Sequence, residues 1–200
     1  MPFFQGMGTG AGLIIAIGAQ NAFVLSQGVR KQHNWLVACI CSLCDVILIF
    51  AGAAGIGAAV AANDVLSNIA GWGGAAFLMY YGCRALYAAC TADMLHRADV
   101  KSGSRGTVAV ATLGVTLLNP HVYLDTLVLL GSISGQFQGG GRYLFAFGAS
   151  SASVLWFFAL SLGGVLLAPL FTSKTAWKIL DSLVCLTMWY IAYQLLPIWN

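Results

Sequence analysis

The chain is predicted to be an all-α integral membrane protein of six transmembrane helices, arranged as two inverted three-helix repeats in which the first helix of each is broken. Three observations lead there. Of 200 residues, 60% are hydrophobic and only 8% charged, with mean hydropathy +0.85. A soluble domain carries about 25% charged residues, so this chain cannot cover a water-facing surface. Its apolar residues fall into runs of helical-span length, roughly 20 residues. A membrane β-barrel would instead alternate over segments of about 10, and the long run Tyr143–Ser173 excludes one. Finally, eight of the nine Lys and Arg residues lie in or beside the breaks on one side.

Taken in order, the spans are about 3–27, 36–61, 66–88, 107–131, 143–168 and 177–197, with ends good to a few residues. Arg30–Asn34 closes the first. Asn63-Asp64 parts the second from the third. "TADMLHRADVKSGSR", Thr91–Arg105, is the one substantially polar loop. Gly139-Gly140-Gly141-Arg142 is a turn, and Pro169 to Lys174 ends the fifth span. The N-terminus has no basic residues ahead of its apolar run, so the first segment is expected to stay as a span rather than be cleaved as a signal. Arg30, Lys31, Arg84, Arg97, Lys101, Arg105, Lys174 and Lys178 face Arg142 alone. Basic loops stay cytoplasmic, which puts both termini outside; one re-entrant segment would put them on opposite faces. The halves, 1–92 and 107–200, flank a cytoplasmic loop at 93–106. Three spans per half make them antiparallel, the arrangement of inverted-repeat transporters.

Polar residues inside the greasy runs are the functional candidates. Gly18-Ala19-Gln20-Asn21 interrupts the first span and Asn119-Pro120 the fourth. Pro120 has no amide hydrogen and drives Asn119 out of helical geometry. Broken helices at membrane depth are tolerated when buried in protein or lining a cavity, and their N-termini suit a carboxylate. The plainer reading is a proline kink plus amides that join helices. Asp45 and Asp125 are carboxylates placed where a charge costs at least about 2.5–3.5 kcal/mol. A transported cation or proton fits them. Otherwise each is a neutral acid bonded locally, Asp45 to Ser42 or Cys41 and Asp125 to His121, four residues away on the same face. Tyr123 is a candidate substrate donor, with aromatic packing as its default role.

Other features carry plainer readings. Asp181 and Lys178 read as an interfacial pair. Arg84 can snorkel towards the cytoplasm. Trp35, Trp177 and Trp199 fit interfacial belts. The six cysteines fall in or near apolar segments and read as buried small hydrophobes. "CSLC" with Cys39 and Asp45 keeps a thiol-redox carrier or a soft-metal exporter as minor alternatives. There is no phosphate-binding glycine loop with a Lys, so the chain is no ATP-driven pump by itself. Nothing suggests a nucleic-acid partner, an enzyme or a cofactor, and whether the chain forms a homo-oligomer is left open.

The stretches "GAQNAFVLSQGVRKQH", "CDVILIFAG", "WGGAAFLMYYG" and "LLNPHVYLDTLVLLGSI" together resemble, in order and spacing, the LysE-type L-amino-acid exporters, and within them the lysine/arginine branch. The resemblance implies export of L-amino acids across a bacterial inner membrane, with arginine, lysine and analogues such as canavanine as substrates. It implies roles for Gln20 and Asn21, for Asp45, and for Asn119, Pro120 and Asp125. Ala19 stands where many relatives have Pro, which puts the sharpness of the first break in doubt. Neutral amino acids remain the alternative substrates. With a cationic substrate, Asp45 and Asp125 are expected to alternate between proton and cation in an antiport.

Overall fold

The computed structural model describes residues 1–15, 18–56, 64–95, 103–170 and 174–194, and all regular structure among them is helical. The end of the second span at 57–61, Asn63, the loop residues His96, Arg97 and Lys101, the end of the sixth span at 195–197 and Trp199 lie outside the described residues.

The first predicted span is two helices, α1 (Pro2–Ile14) and α2 (Ala19–Val29), whose axes meet at 80°. A tight turn with Lys31 and His33 in left-handed conformation (φ 53° and 49°) leads into α3 (Asn34–Ala53). Helix α4 (Asp64–Leu95) runs well past the predicted end at 88. No Gly or Pro follows Gly82 in this stretch, and Ala, Leu and Met continue a helix readily. Helix α5 (Arg105–Leu117) starts under a Ser104 cap, whose hydroxyl accepts the Thr107 amide at 3.2 Å. After the break at Leu118-Asn119, the chain resumes as α6 (Pro120–Val122), a π-helical stretch over Tyr123–Leu129, and α7 (Leu130–Ser134). Helix α8 (Gly141–Leu167) ends in a 3-10 turn, Ala168–Leu170, where Pro169 stops it. Helix α9 (Lys174–Gln194) is last.

Helix α8 is central: α1, α2 and α3 all pack on it. It runs antiparallel to α3, with Asn34 bonded to Ser161 (3.2 Å), Asp45 to Ser153 and Phe50 against Phe147. The second broken helix, α5 to α7, packs on α3 as well. Helices α4 and α9 form a separate antiparallel pair that joins the rest largely through α2. Two backbone crossings set these distances. A Cβ on Gly28 of α2 would stand 2.6 Å from the Ser161 carbonyl oxygen and 3.0 Å from Gly164 Cα on α8. A Cβ on Gly131 of α7 would stand 2.9 Å from Gly52 Cα on α3. Only glycine permits contacts this close, the device that membrane helices use where apolar burial gives no preference for protein over lipid.

The turn between α2 and α3 and the start of α9 meet at one end of the molecule. There Arg30 pairs with Asp181 and lies 5.0 Å from the Trp177 ring, and His33 Nε2 is 3.2 Å from the Gly103 carbonyl. This corrects the sequence reading of Asp181. It is buried rather than interfacial, and its partner is Arg30, 151 positions away, not Lys178 one turn back. Among the described residues, α3 and the α8 segment Gly141–Leu170 are long and apolar enough to cross a membrane singly; α1 and α2 qualify as one bent span.

Candidate functional site

Both helix breaks open on a single cavity of about 550 Å³, within the ~300–1,000 Å³ of small-molecule sites. Gly18, Gln20 and Asn21 line it from α2, Asp45 from α3, and Asn119, His121, Asp125 and Thr126 from the second broken helix. Leu13 and Ile14 of α1 add an apolar edge, and α9 forms a wall from Leu186 to Gln194.

The two breaks match in position and differ in chemistry. Gly18 begins α2 in extended conformation (φ −133°, ψ 176°), with no side chain capping the first amides. Those amides carry the partial positive charge of a helix N-terminus. At the second break, Asn119 Oδ1 accepts the His121 amide at 3.1 Å. Pro120 takes the first helical position, where a missing N–H is harmless. The second N-terminus is therefore capped by its own asparagine, whereas Gly18 brings no side chain to the first.

Asn21 holds the first break in shape. Its Nδ2 donates to the Ile14 carbonyl (2.9 Å), serving an acceptor that the end of α1 leaves over, and its Oδ1 accepts from Trp156 Nε1 (3.2 Å). Gln20 is buried beside Asp45 and Cys41, yet its Nε2 has no partner in hydrogen-bond geometry. Asp45 is 2% exposed. Ser153 Oγ donates to its Oδ2 at 2.8 Å, and Oδ1 is buried without a partner. The bonding residue is thus on α8, not Ser42 or Cys41 on the same helix; Cys41 Sγ instead lies 3.7 Å from Thr116 Oγ1. A buried polar group left unbonded costs about 1–3 kcal/mol. This cavity holds one such donor and one such acceptor side by side.

Asp125 is half-buried, one turn beyond His121. It sits in the π-helical stretch, where the Leu130 amide bonds to the Asp125 carbonyl five residues back. Such expansions occur frequently at functional sites. Tyr123 does not line the cavity; its hydroxyl donates to the Leu117 carbonyl at 2.7 Å and ties the two sides of the second break together. Ser153, Trp156 and the α9 wall are site features that sequence reasoning missed. A serine or tryptophan on an apolar helix, and the half of α9 that offers the cavity Thr187, Tyr190 and Gln194 among apolar neighbours, carry no spacing that separates them from ordinary packing. Among the described residues no cluster of three His, Cys, Asp or Glu could hold a metal ion, and all six cysteines are free.

Residues 11–197 match the model of the family described as LysE type translocator. The chain is 44% identical over 194 residues to "Arginine exporter protein ArgO" of Enterobacter sp. (strain 638), covering 96% of this chain and 92% of that one. It is 46% identical over 195 residues to the protein of the same name from Yersinia enterocolitica serotype O:8 / biotype 1B, covering 96% and 95%. The corresponding protein of Salmonella schwarzengrund (strain CVM19633) is 44% identical over 194 residues. No solved structure matches the chain.

Proposed function

The chain belongs to the LysE type translocator family, and from that membership we propose that it exports basic L-amino acids, arginine foremost, with lysine and canavanine as further substrates, in exchange for protons. Family and relatives make it an amino-acid exporter and not an enzyme. The observation that carries the finer reading is the cavity. It joins a helix N-terminus, suited to a carboxylate, with two aspartates suited to cationic groups, in a space sized for one amino acid.

In this scheme the substrate carboxylate meets the N-terminus of α2, where the helix dipole is positive, with Gln20 Nε2 as a further donor. The α-ammonium and the guanidinium pair with Asp45 and Asp125, as charge-assisted hydrogen bonds. Asn119 and Pro120 shape the second break, and His121 stands one turn from Asp125. Exporting a +1 substrate against an inside-negative potential costs about 2.3 kcal/mol per 100 mV, and one proton moving inward cancels it. Both aspartates hold the cationic groups on the way out, and one of the two carries a proton on the way back, so the site crosses with the same net charge in both directions.

The setting is the bacterial inner membrane, crossed six times with both termini outside. The antiparallel pairs α3/α8 and α4/α9 support the inverted repeats. So does the way each half's broken helix lies on the second helix of the other half, α1 and α2 on α8, α5 to α7 on α3.

The test is efflux of labelled arginine and lysine from cells lacking their own exporter, with growth on canavanine. Faster efflux and resistance are expected, and Asp45→Asn is expected to reduce both at least tenfold at unchanged membrane abundance. No effect of the protein on either substrate, or full activity in both Asp45→Asn and Asp125→Asn, would refute the reading.

A further inference from the structure

A second cavity, about 530 Å³, lies at the basic end of the molecule between α2, α4, α5 and α9. The first cavity follows α9 from Leu186 to Gln194, whereas this one takes the other half of the same helix, with Asp181 in its wall. Three observations make it a built site for a cation. Asp181 is 5% exposed, so its carboxylate is removed from water and requires a positive partner. Its partner, Arg30, is the C-cap of α2, at the edge of the turn to α3, and keeps 23% of its side chain exposed. Gln27, 8% exposed and lining the same cavity beside Tyr81, has its Oε1 buried with no donor in hydrogen-bond geometry. Carboxylate and amide oxygen together form a hydrogen-bond acceptor set for a guanidinium or ammonium group. Arg84, its guanidinium 6.0 Å from the Tyr81 ring, supplies a cation on the α4 wall for the carboxylate of an amino acid.

We propose that Asp181 and Gln27 form a capture site for the cationic side chain of a cytoplasmic amino acid, and that Arg30 occupies it as an internal stand-in for that side chain when the basic end is closed. This rests on the export reading and on the basic end being cytoplasmic. A substrate guanidinium replaces the Arg30 guanidinium on Asp181 like for like, so opening never leaves the buried carboxylate unpaired. The Arg30 side chain, lying against Trp177 and attached at the edge of the turn, is the part free to leave.

Binding of labelled arginine to the purified protein in detergent, together with arginine uptake into everted vesicles, tests this. R30Q removes the internal competitor and is expected to bind arginine at least tenfold tighter than the parent chain, with no such gain for citrulline, whose side chain is neutral. R30Q/D181N is expected to lose the gain. R30K, which keeps the charge but not the forked contact, should show a smaller gain of the same sign and serves if R30Q fails to fold. Equal arginine binding by R30Q and R30Q/D181N would overturn the capture site even where the parent chain transports arginine. Absence of arginine uptake by the parent chain would overturn the export reading, while the binding comparison still decides the site.

Discussion

Asp45 takes one hydrogen bond from Ser153 and leaves its second oxygen open next to the unbonded amide of Gln20. Ser153 therefore fixes the direction in which that carboxylate can accept a ligand. Ser153→Ala leaves both oxygens unserved, at about 1–3 kcal/mol. The expected outcome is a five- to hundredfold fall in kcat/KM for arginine efflux with normal membrane abundance, measured by initial rates. Restoration by Ser153→Thr, which returns a hydroxyl, would distinguish orientation from packing. The polar members of this cavity were legible in the sequence because amides and carboxylates are costly in a bilayer and demand a reason there. That argument picked out Gln20, Asn21, Asp45, Asn119, His121 and Asp125, all of which line the same cavity. It has no purchase on Ser153, which sits on an apolar helix at no cost, nor on Tyr123, whose ring is at home in lipid and whose hydroxyl found a carbonyl six residues back. Asp181 was visible as a charge but not as a partner of Arg30, since nothing local encodes a contact between the two ends of the chain.

At the scale of the element, proline and glycine located the breaks, and caps decided their chemistry. Pro120 after Asn119 marks a helix start by two local rules at once. The π-helical stretch that follows carries no sequence signature; it and α7 pack on α3 where the Leu127 and Gly131 backbones meet Gly52. Those crossings are specific enough to test. Gly131→Leu places a side chain where the Gly52 backbone already stands, and overpacking of this kind costs about 1–3 kcal/mol or more. The expected result is a clear drop in thermal stability in detergent and in membrane abundance. Gly8→Ala on α1, where an added Cβ meets nothing within 4 Å, should be neutral in the same measurement. The far end of α4 shows the limit of reading polarity alone. Thr91–Leu95 looked like loop because it is polar, yet nothing in it stops a helix.

For the whole molecule, the two cavities lie towards opposite ends, and α2 and α9 contribute to both. Under the proposed exchange of arginine for a proton, movement of α2 and α9 relative to α8 would open one cavity as the other closes, with no continuous pore. The electrical consequence is measurable. In proteoliposomes, one-for-one exchange makes the arginine flux follow the pH gradient and ignore an imposed potential clamped with potassium and valinomycin. Acidifying the destination side should speed the flux. Acceleration by potential at zero pH gradient would refute one-for-one coupling. Which helices pair could not be read from span count and basic loops, because α4/α9 and α3/α8 join segments made far apart in synthesis. That distance has a consequence for biogenesis. Helices α3 and α8 can each leave the translocon for lipid unaided, whereas α1 and α2 end in a polar break whose partner surface is α8. The first helices synthesised thus wait for a surface that begins only at Gly141. Until then Asn21 lacks the Trp156 indole from which its Oδ1 accepts in the finished fold.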